Sequence, residues 1–182
     1  MIAALAGRRI DAPNAEKERF PLEMKDVVYK RILECFSDNR ITTLVSSAAC
    51  GADLLAQKAA RELKIDRRII LPFNRVKFRK TSVTDRPGNW GELFDEICDE
   101  AKREGKMIFI RGFKNNEEKA YAAVTTKILK RAKSLRSEDE TIMAVAVWEG
   151  TAKNESDETA SFIEQAKKLN IRTEEILTKQ LL

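Results

Sequence analysis

Residues 41–71, ITTLVSSAACGADLLAQKAARELKIDRRIIL, contain three consecutive elements of regular structure, judged by the spacing of their apolar side chains. Residues 41–45 are rich in β-branched side chains and stop at two serines, which is typical of a short buried strand. Apolar residues then recur at helical spacing as far as Leu63, and a second apolar run, residues 68–71, ends at a proline. A strand, a helix and another strand in this order predict a βαβ unit with parallel strands.

The same alternation of short apolar runs and longer amphipathic segments extends over the rest of the chain. Further strands are predicted at residues 2–6, 107–110, 141–148 and, with a weaker pattern, 171–176. Further helices are predicted around residues 24–36, 93–101, 121–135 and 163–169. The pattern favours the α/β class: one Rossmann-like three-layer domain over residues 1–182, with a mostly parallel sheet of five to six strands in the order 3-2-1-4-5.

Composition excludes several classes of protein. Charged residues make up 35% of the chain and no run approaches the ~18 apolar residues of a transmembrane helix, so no membrane association is expected. The N-terminal apolar run is too short for a secretory signal, and three cysteines without paired spacing do not indicate a disulfide scaffold, which together predict a cytoplasmic location. The absence of histidine excludes histidine-dependent triads, and neither a metal site nor a required cofactor is predicted.

Positive charge is concentrated in part of the chain. The formal net charge is +5, and residues 61–80 alone have eight basic and two acidic side chains, a local net charge of +6. Such a segment attracts the phosphates of a nucleotide or of a nucleic acid, or it forms the solvated face of a helix. Both interpretations stay open at this stage.

Ligands of open parallel sheets bind outside the carboxyl ends of the strands, where the strand order reverses. With the order 3-2-1-4-5, this crevice lies between the first and fourth strands. Gly7, Arg8 and Arg9 would then face Arg111 across it. The loops after the other strands add four more candidates for ligand contacts: Arg79, Lys80, Glu149 and Gly150.

The loop after the second strand is the strongest candidate for an anion site. Small residues surround Gly51 at the start of a helix, where unpaired N–H groups and the helix dipole favour a phosphate. Ser46 and Ser47 add hydroxyl donors. The alternative is that small residues only allow tight helix–strand packing and that Asp53 serves the helix dipole. Cys50 begins this helix, where a thiol pKa can fall, although a small packing role is the commoner one.

The loop sequence Val45-Ser46-Ser47-Ala48-Ala49-Cys50-Gly51-Ala52-Asp53-Leu54-Leu55-Ala56 resembles the glycine loop of the SLOG superfamily, which joins the DNA-processing protein A (Smf) and LOG families. Further segments resemble the superfamily in the same order, namely residues 7–11, 71–73 with 81–83, and 146–150. The resemblance implies a Rossmann-like fold that binds a nucleotide or a nucleotide-derived ligand at these loops.

Two segments depart from the superfamily pattern. Ser46-Ser47 stands where the superfamily often has Ser-Gly, which reduces backbone flexibility at Ser47. Asp157-Glu158-Thr159 stands where a Gly-Gly-Thr phosphate loop is expected, so that only Thr159 carries over. The two carboxylates would contact a ribose hydroxyl or a base amine, or they would cap the last helix. The LOG enzymes place a catalytic glutamate after this segment and this chain does not, so no catalytic residue is assigned and an enzymatic role is not favoured.

Three functions follow, in order of preference. The first is a nucleotide-binding module, in which Arg8 and Arg9, with Arg79 or Lys80, contact phosphates. The loop from Ser46 to Gly51 forms the anion nest, and Glu149 or Asp157 contacts the sugar or the base. The second is single-stranded DNA binding on the basic surface, and the third is hydrolysis of a nucleoside monophosphate. The helix over residues 121–135 is a candidate contact in a homo-oligomer. The nest predicts that Gly51→Val abolishes ligand binding and leaves the fold intact.

Overall fold

The computed structural model describes residues 1–113 and 116–179, and its six strands form one parallel sheet with helices on both faces. The strands are β1 (Ile2–Gly7), β2 (Thr43–Ser46), β3 (Asp66–Leu71), β4 (Met107–Phe109), β5 (Ile142–Trp148) and β6 (Arg172–Leu177). The helices are α1 (Lys25–Asp38), α2 (Ala52–Glu62), α3 (Arg75–Ser82), α4 (Gly91–Arg103), α5 (Glu117–Leu135) and α6 (Glu158–Lys168). The predicted Rossmann-like α/β class is therefore confirmed.

The strand order is β4-β3-β2-β1-β5-β6 and differs from the predicted 3-2-1-4-5. The short and partly exposed β4 extends the edge beside β3, whereas the seven-residue apolar β5 pairs with the whole of β1, from Ile2 opposite Ile142 to Gly7 opposite Val147. The longest apolar strand thus lies inside the sheet, between β1 and β6, with both of its faces covered. The order reverses between β1 and β5, so Arg111, which follows β4, lies at the far edge rather than across the crevice from Arg8.

Alternate side chains of each strand enter two separate cores. Ala3 and Leu5 of β1 pack into the layer that contains α1, α2 and α4. Ile2 and Ala4, one position out of phase, pack into the layer that contains α5 and α6. This alternation follows from the period of two in a β-strand, and burial on both faces explains why the strands read as continuous apolar runs.

Helix α3 is an element that the sequence does not predict, since Arg79 and Lys80 are expected in a loop after the third strand. Its residues are mostly polar, and only Phe78 and Ser82 are buried. Asn74 was the available signal, since its side chain accepts a hydrogen bond from the Lys77 N–H (2.9 Å) and caps the helix. For this helix, the capping residue is therefore a better indicator than the spacing of apolar side chains.

The apolar face of α5 is used inside the protein. Val124, Ile128 and Ala132 are buried against the sheet, so these side chains are unavailable for the predicted contact between subunits. Among the described residues, no helix is both long and apolar enough to cross a membrane.

Candidate functional site

A cavity of about 520 Å³ opens at the carboxyl ends of β1 and β2, beside the point where the strand order reverses. The loop after β1, the starts of α2 and α6, and one side of α3 and α5 line it. The position is the one at which open parallel sheets bind ligands, and the volume is within the range of small-molecule sites, roughly 300–1,000 Å³.

Gly7 allows three elements to converge beside this cavity. A Cβ atom at this position would lie 2.5 Å from Ala52 Cβ of α2 and 2.5 Å from the Val147 carbonyl oxygen of β5. Any larger side chain would force these elements apart. The glycine at the end of β1 is therefore required by close packing.

Arg8 is buried and fully used by contacts within the protein. Its Nε donates to Glu149 Oε2 (2.6 Å), its Nη1 donates to Asp157 Oδ1 (2.8 Å), and its Nη2 donates to the Thr151 carbonyl (2.9 Å). Arg19, from the loop after β1, also donates to Glu149. Arg8 thus ties β1 to the ends of β5 and α6, and its hydrogen-bonding capacity is directed at carboxylates rather than at a phosphate.

The two carboxylates that bind Arg8 are held in their ionised form. Burial acts to raise the pKa of Glu149, but hydrogen bonds from Arg8 and Arg19 bring the pKa below its ordinary value. Burial acts in the same way on Asp157, and hydrogen bonds from backbone N–H groups and from Arg8 lower its pKa. Asp157 accepts the N–H groups of Thr159 (2.9 Å) and Ala160 (3.0 Å), which confirms the helix-cap interpretation of this segment.

The anion nest predicted at the start of α2 is not open, and this prediction is wrong. Three N–H groups of the loop donate within the protein: Ala49 to Asp53 Oδ2 (3.2 Å), Cys50 to the Ser82 carbonyl (3.0 Å) and Ala52 to the Arg8 carbonyl (3.0 Å). Ser46 is fully buried, donates to the Ser47 carbonyl and accepts from Gln57. The tight-packing alternative explains this loop.

Gly51 is covered directly by the loop after β1. Its φ of +98° lies in a region that favours glycine, and a Cβ atom would lie 2.7 Å from the Arg8 carbonyl oxygen and 2.8 Å from the Ile10 nitrogen. A ligand cannot occupy the space above Gly51. The earlier expectation that Gly51→Val leaves the fold intact is accordingly wrong.

Cys50 is fully buried, and burial raises its pKa to about 11. Burial also raises the pKa values of Cys35 and Cys98, to about 11 and about 12. We expect iodoacetamide at pH 8 to alkylate Cys50 of the folded protein at least about 100-fold more slowly than a free thiol. Only the thiolate reacts, and a rise of the pKa from 9.0 to about 11 lowers the thiolate population about 100-fold at this pH. Peptide mass spectrometry, with a urea-unfolded sample as control, measures this rate, and rapid alkylation of the folded protein would contradict it.

The structure brings some of the predicted site residues to the cavity and leaves others elsewhere. Six line it: Gly7, Arg8, Arg9, Ser47, Asp53 and Thr159. Eight do not line it: Ser46, Cys50, Gly51, Arg79, Lys80, Arg111, Glu149 and Gly150. Arg79 is drawn to Asp95 of α4 (2.9 Å), because α3 directs it away from the sheet ends. Arg9 is at the cavity but pairs with Asp85 (2.8 Å).

Sequence reasoning missed the residues that give this cavity its chemistry. Lys17, Arg86 and Lys153 contribute positive charge to the lining. Val124 and Ile128 of α5 contribute apolar surface, although their spacing indicated only a core role. No pattern in the sequence marks the three cations, since each lies in a loop whose path depends on the rest of the fold.

Most basic side chains of segment 61–80, which single-stranded DNA binding would use, are paired with carboxylates. Six of its basic side chains are in ion pairs: Arg61, Arg67, Arg68, Arg75, Lys77 and Arg79. Phe78, one of its two aromatic residues, is 1% exposed and cannot stack on a base. The positive charge of this segment is largely neutralised by α4 and by neighbouring carboxylates.

Scans of this chain against protein-family models, curated proteins and solved structures find no match. The fold and the cavity define the chain as a Rossmann-like α/β domain with a cavity at the switch point of its sheet. Membership of the SLOG superfamily stays a prediction from the sequence. Within residues 1–113 and 116–179, no group of three or more cysteine, aspartate and glutamate side chains is placed to hold a metal ion.

Proposed function

We propose that the protein binds a nucleotide or a nucleotide-derived ligand in the cavity at the carboxyl ends of β1 and β2. One observation supports this most strongly: a single cavity at the switch point has both basic side chains and an apolar wall. A nucleotide presents the same combination, since its phosphates are anionic and its base is flat and largely apolar on its faces. Size and position agree with such a ligand.

The basic side chains of the cavity have capacity for an anion. Arg86 Nε is buried and donates no hydrogen bond to any of the described residues, and its ion pair with Asp85 Oδ2 is long, at 3.5 Å. An unsatisfied buried donor is costly. Desolvation and the positive charges of Arg8 and Arg19 lower the pKa of Lys153, and the negative charges of Asp157 and Glu149 oppose this only in part. A bound phosphate would give Arg86 a hydrogen-bond acceptor and Lys153 a further negative neighbour. Lys17 is exposed at the mouth of the cavity and adds a third charge.

The apolar part of the cavity lining suits a base. Val124 and Ile128 of α5 supply aliphatic surface, and Tyr121 supplies aromatic surface. The Tyr121 hydroxyl is within hydrogen-bond distance of Ser82 Oγ (2.7 Å), which fixes the position of its ring. Small-molecule sites generally combine an apolar lining of this kind with a few polar groups.

We expect at least one nucleotide to stabilise the protein against heat, because a ligand that binds only the folded state adds ~2.7 kcal/mol at a hundredfold excess over its Kd. The measurement is a melting screen with mono-, di- and cyclic nucleotides and ADP-ribose. Lys153→Met should weaken the affinity of the best ligand by about 10- to 100-fold, the loss of one charge-assisted contact.

Lys168→Met is the matched control for this test, because Lys168 is at the far end of α6 and its side chain is 75% exposed. Its affinity should equal that of the wild type. A complete screen without any shift in melting temperature would count against the proposed function. Equal losses in the two lysine variants would show that the phosphate is not bound at Lys153.

A further inference from the structure

Asp53 is the buried side chain of the cavity whose polar capacity is only half used. It is 8% exposed, lies in the first turn of α2 and lines the cavity. Its Oδ2 accepts the Ala49 N–H (3.2 Å), whereas its Oδ1 accepts no hydrogen bond from the described residues. Oδ1 is not among the fully buried unpaired atoms of the described residues, so it keeps contact with the cavity space and is available to a ligand.

The surroundings of Asp53 do not favour its charge. Burial raises its pKa to about 7, and the Ala49 N–H and the charge of Arg9 oppose this only in part. Arg9, from the loop after β1, is the charged side chain that acts on Asp53, and it already pairs with Asp85. An asparagine could accept the Ala49 N–H without a charge, so this contact alone does not require the ionised form of Asp53.

We propose that Asp53 Oδ1 accepts a hydrogen bond from a sugar hydroxyl of the bound nucleotide, which makes Asp53 the residue that selects ribose-containing ligands. This inference rests on the proposed function. The sugar is the part of the ligand that reaches Asp53, because the base lies on α5. Helix α5 covers one face of the sheet and α2 covers the other, so a base on Val124 and Ile128 places the sugar across the strand ends, towards α2.

The test compares the four 5′-ribonucleoside monophosphates with their 2′,3′-dideoxy counterparts, which keep the base and the phosphate and lack both hydroxyls. For the wild type, we expect the ribose form of the preferred base to bind about 10- to 100-fold more tightly, as for a hydrogen bond to a charged group. This ratio should increase between pH 6 and pH 8, as Asp53 ionises with a pKa of about 7. Isothermal titration calorimetry measures both affinities.

Asp53→Asn is the decisive variant, because its amide keeps the contact with Ala49 and presents either a donor or a weaker acceptor to the sugar. We expect the preference for ribose to fall to within about threefold of unity and to lose its pH dependence. The variant should also melt about 5 °C higher than the wild type at pH 8 and not at pH 4. The folded wild type keeps its Asp53 proton up to about pH 7 and the unfolded chain loses it near 3.8, so wild-type stability decreases between these values.

A purely structural role for Asp53 predicts that Asp53→Asn melts no higher than the wild type at any pH and leaves the ribose preference unchanged. Equal wild-type affinities for the ribose and dideoxy forms would overturn the selection by Asp53 and leave nucleotide binding intact. Binding of neither form would overturn both proposals. If Asp53→Asn does not fold, the pH dependence of the wild-type ratio decides the question.

Discussion

Arg8→Met is expected to lower the free energy of unfolding by about 3–5 kcal/mol, the usual penalty for removing one partner from a buried ion pair. The side chains of Glu149 and Asp157 are 2% and 0% exposed, so both carboxylates would stay buried without their main cation. Urea denaturation followed by circular dichroism measures the change. Methionine approximates the length of the arginine stem, so the loss reports the charge more than the packing.

The effect of Arg8→Met should depend on pH in a defined direction. In the wild type the pKa values of Glu149 and Asp157 are lowered, so their contribution to stability is present above the unfolded values, 4.5 and 3.8, and is lost as pH falls through the folded ones. Without Arg8, burial raises both pKa values, and the carboxylates take up protons more easily. The difference between variant and wild type should therefore be largest near pH 7 and shrink below pH 4.

Arg172→Met is the control for a surface ion pair. Arg172 is 59% exposed and pairs with Glu174 at 3.4 Å, so its loss should change the stability by less than about 1 kcal/mol. Similar losses for Arg8→Met and Arg172→Met would show that the buried network contributes no more than an exposed pair. In that case Arg8 would be held weakly enough to make the phosphate contact that the sequence predicts.

Gly51→Ala should also destabilise the protein strongly, by roughly 3 kcal/mol or more, because a Cβ atom would overlap the backbone of Arg8 and Ile10 and the residue would adopt an unfavourable φ. The loop after β1 would have to move away from α2, and the same loop forms the entrance to the cavity. Thermal and urea unfolding measure the loss. The valine variant should be worse still.

Gly105→Ala separates the two causes of this loss. Gly105 also has a positive φ, +66°, but a Cβ atom there would meet nothing within 4 Å. Its substitution should cost only the conformational strain, about 1 kcal/mol. Equal losses of unfolding free energy in the two alanine variants would show that a Cβ atom at Gly51 does not clash with the loop after β1.

Positions of most secondary structure elements follow from local spacing in the sequence. The strand predicted at residues 141–148 is β5 over Ile142–Trp148, and the helix predicted at 121–135 is the greater part of α5. These predictions succeed because burial on both faces requires continuous apolar strands, and helices covering a sheet require an apolar stripe. Helix α3 is the exception, since it buries too little apolar surface to leave such a pattern.

Glycine positions were recognised from the sequence, but their purpose was not. Gly7 and Gly51 are conspicuous as small residues beside strand ends. In the structure, atoms of other elements lie within 3 Å of the position that a Cβ atom would occupy at either glycine. Close approach of a ligand and close approach of the protein to itself require the same residue type. Only the tertiary contacts distinguish the two.

The chain by itself determined the α/β class, the approximate bounds of its strands and the end of the sheet at which the cavity opens, because each depends on short-range periodicity and on rules common to parallel sheets. Tertiary structure alone decided that β5 rather than β4 lies beside β1, that Arg8 is bound by Glu149 and Asp157, and that Lys153 and Asp53 lie at one cavity. The physical reason is distance along the chain. Arg8 and its partners are separated by 141 and 149 residues, and no local pattern records a contact of that length.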